Sequence, residues 1–552
     1  MERRVVLAVV LAIGVLFLTP RLFPPAARQT PVAPTATDSA RQPPVAAQTA
    51  PDSLRPAPQR VEAVSAPDSQ LARVDTTITR AGSATVTFQS RGATLEQVEL
   101  GDFRSLSGTT GPVRLDSRWD PLLAYSLVTP NDTVDLSRVA FAVDANATTR
   151  ETTYRARVAD LNVVLRYAVD TGGYIIRVNG EVSDSAGRPA GDNVVLLVNL
   201  PRALESFEAN IVEDRRGMSV AFKPTPRGAS QIALRSLDPN ERRIESGPID
   251  WVALKSKYFI LGVLARDSAS AFAELQVTGL AQPERDFPVA RTVLLQRVRN
   301  GAFGFDVYAG PQKWDAMLAV GREFQGANSY GGWLQPIVQP FATIVMRVLL
   351  WMHRALSLHY GWVLLLFGVL VRVAMWPLNQ TAMKSSMRMQ ELQPLLAEVQ
   401  KRHKSDPQRM SAETMRLYKE HGMSPFSPLA GCFPILLSMP VLFALFFVFQ
   451  GTIEFRGVPF LWLPDISLKD PIYVAPLLMG ASMFFTSWLS MRSMPPNPQT
   501  KIMTYFLPVM MTVLLANMAS GLNLYWAAQN VASIPQQWLI SRERARRKAK
   551  QA

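Results

Sequence analysis

The chain has 552 residues, 48% of them hydrophobic and 18% charged, with a formal net charge of +14. Soluble chains average about 25% charged residues, and 552 residues exceed what one core holds, so several domains are expected. This composition excludes a wholly soluble enzyme, a disordered chain and a disulfide scaffold; the single Cys, Cys432, allows no internal disulfide and no thiolate metal cluster. The average hides two halves: residues 20–330 are polar, whereas 331–552 carry long apolar runs and 18 of the 21 Met. His353, His359, His403 and His421 all fall in the second half, so a His-dependent active site in the first is excluded.

In chain order, Arg3 and Arg4 precede an apolar run at 5–18 closed by Pro20. The run is short for a span and suits either a signal-peptide core or a retained anchor, here bounded as 1–19. Both leave the arginines inside and carry the next segment across a membrane. Residues 20–73 follow as a Pro/Ala-rich tether; 20–70 alone hold 11 of the 41 prolines and no core pattern. Residues 74–327 are dominated by short alternating runs such as Ala84-Thr-Val-Thr-Phe, Asn162-Val-Val-Leu-Arg-Tyr, Tyr174-Ile-Ile-Arg-Val and Asn193-Val-Val-Leu-Leu-Val. Thr171-Gly-Gly and Asp184-Ser-Ala-Gly punctuate them, and the pattern predicts a large antiparallel β-sandwich. Gly301-Ala-Phe-Gly is no phosphate loop, because no helix with a Lys follows it. The sandwich is expected to be a folding or docking platform.

Between 328 and 358, Ile337, Phe341, Ile344, Val345, Val348 and Trp351 recur at helical spacing beside Arg347 and Arg354, which predicts an amphipathic helix in the membrane interface. Five apolar segments follow within 359–541, at 361–378, 429–450, 473–489, 502–518 and 522–540, each near spanning length. With the first segment retained, the fold class is a multi-pass α-helical membrane protein of about six spans. The loop 379–425 carries eight Lys/Arg and the tail 542–552 six, whereas 451–470 carries only Arg456 and Lys469. Basic loops stay in the cytoplasm, so both termini are expected inside and the β-domain outside, in the periplasm. The basic loop is patterned as a helical hairpin: Met389, Leu392, Leu396 and Val399 form one stripe with a kink at Pro394. Asp406-Pro407 then opens a second helix with Met410, Leu417 and Tyr418, ended by Gly422.

The last apolar segment has an unusual face. Asn523, Trp526, Asn530, Ser533 and Gln537 are spaced by 3, 4, 3 and 4 residues, which puts them on one side of a helix, with Gln529 and Gln536 flanking. Unpaired polar groups in hydrocarbon cost several kcal/mol each, so the row must meet other helices or a wet groove. Arg372 is the only charge well inside any of the five segments, where Arg costs roughly 2.5–3.5 kcal/mol or more. Gly368, one turn away, is expected to leave space beside its guanidinium, giving an inward, hydrated Arg that opens to the cytoplasm. Thr504, Pro508 and Thr512, and Ser482, Thr486 and Ser490, repeat at i, i+4, i+8 and are expected to converge on the same cavity. The Met richness suits an adaptable apolar surface. Walker loop, paired metal-spaced His and intramembrane carboxylates are all lacking, which predicts no cofactor and no metal and counts against the rival reading, a small-solute transporter with a periplasmic binding domain.

Leu370-Val-Arg-Val-Ala-Met-Trp-Pro-Leu, Leu392-Gln-Pro, Gly431-Cys-Phe-Pro, Met439-Pro, Asp470-Pro, Leu477-Leu-Met-Gly, Lys501-Ile-Met-Thr and Ser520-Gly-Leu-Asn-Leu-Tyr-Trp, in that order, resemble the YidC membrane protein insertases. Trp251-Val-Ala, Lys257-Tyr-Phe and Tyr308-Ala-Gly-Pro-Gln-Lys resemble the large periplasmic domain of such insertases from Gram-negative bacteria. The resemblance implies a non-enzymatic protein that inserts and helps fold inner-membrane proteins, alone or beside the Sec translocon. It implies a retained first anchor and a periplasmic β-supersandwich similar in shape to sugar mutarotases. Arg372 corresponds to the family's groove Arg, and Trp526, with Tyr525 beside it, to its aromatic groove position. Gly368 departs from the hydroxyl residue often found one turn before that Arg, and 424–432 departs from the usual Asn-Pro form. Expected partners are nascent membrane proteins, the Sec translocon, and either a ribosome or anionic lipid headgroups at the basic tail; no other nucleic acid is expected.

Overall fold

A computed structural model describes residues 74–108, 110–146, 150–284, 286–328, 330, 334–377, 380, 392, 395–396, 398–399, 401–403, 406–420, 433–492 and 498–551. The expected anchor at 1–19, the tether at 20–73, Met389, Pro394, Gly422 and the 424–432 motif lie outside the described residues.

The alternating runs form strands. A four-stranded antiparallel sheet joins Thr76–Ala81, Ala84–Gln89, Thr94–Arg104 and Pro112–Leu115 in chain order, and a second antiparallel sheet has fourteen strands. Along Leu161–Val169 every second residue (Val163, Leu165, Tyr167, Val169) is buried, as period-2 geometry requires of a strand with one covered face. The larger sheet turns at the long strand Arg242–Lys255. Its first half pairs with Phe272–Gly279 and its second with Phe259–Ala265 and Ser219–Pro224, with a register shift between Ser246 and Ile249. Gly247 and Pro248 occupy that shift: proline has no N–H to continue the ladder, and a Cβ on Gly247 would lie 2.2 Å from the Phe272 carbonyl oxygen. The sheet therefore folds over on itself. Tyr125 and Tyr167, from opposite arms, bring their hydroxyls to 3.0 Å, and the Phe88 ring of the small sheet packs tilted, 4.7 Å from Tyr167, in the same core.

A short helix, α1 (Ile211–Arg216), follows the strand Val195–Leu200, and α2 (Trp314–Val320) follows the last strand. The helical half contains α3 (Gln335–Leu356), α4 (Tyr360–Ala374), α5 (Pro407–Glu420), α6 (Phe433–Gly451), α7 (Val474–Arg492), α8 (Pro498–Leu515) and α9 (Ser520–Gln551). In α3 four of the six residues of the expected stripe, Ile337, Phe341, Ile344 and Trp351, point outward, while Val338, Ala342, Val345, Met346 and Leu349 pack inward. Both faces are apolar, which is why α3 is, by length and composition, one of two helices among the described residues long and apolar enough to cross a membrane; α7 is the other. The count of about six spans thus goes beyond what helix length and composition single out. At the start of α5, Asp406 Oδ1 accepts from the N–H groups of Gln408 and Arg409, a side-chain cap ahead of Pro407.

The segment between α6 and α7 reaches back to the β-domain. Arg456 Nε lies 2.8 and 3.0 Å from the two Glu208 carboxylate oxygens, its Nη2 donates to the Phe207 carbonyl, and its guanidinium sits over the Phe259 ring. Both side chains are under 10% exposed, at 4% and 7%. Trp314 N–H donates to Glu454 on the same segment.

Candidate functional site

The site begins with a glycine. α4 and α9 cross so closely that a Cβ on Gly368 would lie 2.9 Å from the Tyr525 carbonyl oxygen and 3.3 Å from Ala528 Cβ. Gly368 therefore serves the helix approach, not the space beside Arg372. One helical turn further along α4, Arg372 leaves the crossing and opens, with Val371 and Met375, onto a cavity of about 230 Å³. α9 supplies Tyr525, Trp526, Gln529, Asn530, Ser533 and Gln537, α7 supplies Thr486, and α6 closes the side with Val441 and Leu442. The cavity exists because α9 packs along α4 and α7, whereas α6 packs along α3 and meets α9 at few points.

Four of the five residues in the periodic α9 row line the cavity, and two of them, Asn530 and Gln537, bond to α7. Asn530 Nδ2 donates to Ser482 Oγ at 3.1 Å, Ser490 Oγ donates to Gln537 Oε1 at 2.9 Å, and Ser533 Oγ donates to the Asn530 carbonyl at 2.6 Å. Arg372 is the one charged side chain among the described lining residues, and its Nε is buried with no hydrogen-bond partner among them. The wall opposite the row is aliphatic.

Asn523, Thr504 and Thr512 lie elsewhere. Asn523 is fully buried in the first turn of α9, where its amide donates to the Leu515 carbonyl at 3.1 Å and ties the turn from α8. Thr512 donates to the Pro508 carbonyl and packs over Gly480, where a Cβ would lie 1.9 Å from its Oγ1. Thr504 is buried in the same helix and does not line the cavity. Tyr525 is buried against Phe367, at 5.8 Å between rings, and forms part of the floor. Val441 and Leu442 were not singled out in the sequence: α6 is apolar on every side, so its pattern names no face. Gln536 Nε2 donates to the Trp376 carbonyl, which holds the end of α4 beside the second half of α9.

Residues 79–344 match the family described as YidC periplasmic domain, and residues 351–548 match that described as 60Kd inner membrane protein. The membrane protein insertase YidC of Chlorobium phaeovibrioides is 30% identical over 488 residues, 82% of this chain and 81% of that protein. That of Anaeromyxobacter sp. (strain Fw109-5) is 30% identical over 397 residues, 71% and 69% of the two chains. That of Geotalea daltonii is 28% identical over 567 residues, 98% and 99%. Among solved structures, an active YidC insertase with its first transmembrane domain resolved has 17% identity and a TM-score of 0.35, covering 85% of this chain and 95% of that one. A galactose mutarotase related enzyme from Lactobacillus acidophilus has 10% identity and a TM-score of 0.30, covering 43% and 97%. On sequence similarity along most of its length, the chain belongs to the YidC membrane protein insertase family.

Proposed function

We propose that this chain inserts membrane proteins by giving their hydrophilic ends a hydrated, cationic path beside lipid. The observation that carries the reading is Arg372: the one charge among the described lining residues of a polar cavity, with a buried N–H that no described residue accepts. A buried donor left unpaired costs about 1–3 kcal/mol, so the site favours water or an incoming anion, and a polar cavity of about 230 Å³ has room for several waters. An acidic substrate end approaching from the cytoplasm is drawn to the guanidinium. The attached apolar segment then passes along α6 into lipid, driven by its own transfer from water at about 25 cal/mol per Å². Nothing in this path requires a nucleotide, a metal or a covalent step, so the protein acts as an insertase and not as an enzyme.

In this reading the first segment, α4, α6, α7, α8 and α9 make six spans, and α3 lies at the interface. The β-domain and the 451–470 segment face the periplasm; the 379–425 hairpin and both termini face the cytoplasm. Two contacts support that arrangement: Arg456 with Glu208 keeps the outer segment on the β-domain's side, and Gln536 with Trp376 starts the basic hairpin at the end from which the basic tail leaves. The Sec translocon, and a ribosome or anionic headgroups at the tail, are the partners this placement allows. A photo-crosslinking residue at Trp526 or Asn530, present while a single-span substrate is synthesised, tests the path. Adducts to the substrate's hydrophilic flank are expected, and no adduct from either position overturns it.

A further inference from the structure

A second cavity, of about 630 Å³, lies where the β-domain meets the end of α6. One wall is α6, through Phe447, Gln450 and Gly451; the other is α1 and the strands Ser219–Pro224, Ser230–Ala233 and Arg242–Lys255. Four cations line it, Arg216, Arg235, Lys255 and Lys257, against one carboxylate, Glu213. Glu213 pairs with Lys257 at 3.0 Å, and Arg216 pairs with Asp286 at 3.0 Å. Lys255 and Arg235 have no ion pair among the described residues. Lys255 is half-buried and lines the cavity; its Nζ donates to the Ala327 carbonyl at 3.0 Å and to Asn328 Oδ1 at 3.1 Å, both neutral acceptors. The strand register places Ser219 between Lys255 on one neighbouring strand and Ala233 on the other, and Arg235 follows two residues after Ala233.

An ammonium withdrawn from water without a counter-charge is expensive, and burial lowers Lys255 to about 8. An anion in the cavity relieves that cost. The mouth also presents Phe447 and the exposed Val212, which offer nothing to a small free anion but suit a ligand with apolar chains. We propose that this cleft holds the headgroup phosphate of an anionic glycerophospholipid from the outer leaflet, with Lys255 and Arg235 as its charge partners and α6 as the guide for its chains. The site is separate from the Arg372 cavity and does not depend on the groove reading.

The test uses the full chain in detergent, with retained lipid measured by native mass spectrometry after exposure to phosphatidylglycerol or phosphatidylcholine. A basic side chain near a membrane surface contributes about 1 kcal/mol towards an anionic lipid, a factor of about five. Arg235→Gln and Lys255→Met are each expected to lower the retained phosphatidylglycerol by about that factor and to leave phosphatidylcholine unchanged. Arg235 is exposed, so its variant keeps the test meaningful if Lys255→Met fails to fold. Phosphatidylglycerol retention unchanged in Arg235→Gln overturns the site. Glycerol 3-phosphate competing as well as the intact lipid overturns the lipid assignment.

Discussion

Gly368 and Arg372 sit one turn apart on α4, and only the second is chemically conspicuous. A helix-interior Gly→Ala change ordinarily gains about 1 kcal/mol, but overpacking costs about 1–3 kcal/mol. The obstructing atom here is a backbone carbonyl of α9 that cannot swing aside. Gly368→Ala is therefore expected to lower the apparent Tm in detergent by a few degrees, about 2–4 °C per kcal/mol lost, and Gly368→Leu by more; an unchanged or raised Tm contradicts the crossing. A glycine is plain to read in the sequence, but which neighbour uses the missing volume depends on a helix crossing that no local pattern encodes. The α9 row was more legible. Amides in an apolar helix must find partners, and the helical period alone gives them one face. Asn523 keeps the period and still departs, because the first turn of α9 lies where the unsatisfied carbonyls ending α8 compete for its amide.

At the scale of elements, the 452–473 segment is held to the β-domain by one buried ion pair. Burial pushes the Glu208 carboxyl up to about 7, with Asp214 adding to the shift and Arg456 opposing it. A carboxyl raised in the folded state favours folding at low pH: its contribution is complete below about 4.5 and is lost by about 7. Removing one partner of a buried pair costs about 3–5 kcal/mol. Arg456→Met is expected to show most of that loss near pH 8, where Glu208 is left charged, and much less near pH 5.5, where it takes up a proton. Thermal unfolding of the full chain at the two pH values checks this, and an equal loss at both assigns the stability elsewhere. The pairing was invisible in the sequence, since Glu208 and Arg456 lie 248 positions apart. α3 shows the opposite difficulty: its stripe was visible, but with apolar residues on both faces the period does not say which face turns inward.

Across the whole molecule, alternation in 74–327 was enough to read a large antiparallel sandwich, because a covered strand face writes itself with period 2. The split into two sheets, and the turn at Gly247 and Pro248 that folds the larger one, depend on pairings distant in sequence and were not legible. The proposed orientation has its own check in intact cells, after Cys432→Ser removes the native thiol. Lys469→Cys is expected to react with a membrane-impermeant maleimide from outside and Lys401→Cys only after permeabilisation; the reverse order contradicts both the sidedness and the groove's opening to the cytoplasm. The most direct measurement of the cationic groove is co-reconstitution in liposomes with a purified single-span substrate carrying an acidic hydrophilic end. Arg372→Lys is expected to retain most insertion, Arg372→Ala to lose about tenfold, the equivalent of ~1.4 kcal/mol, and Arg372→Glu to lose more. Insertion that proceeds at the unsubstituted rate in both the Ala and Glu variants contradicts the account.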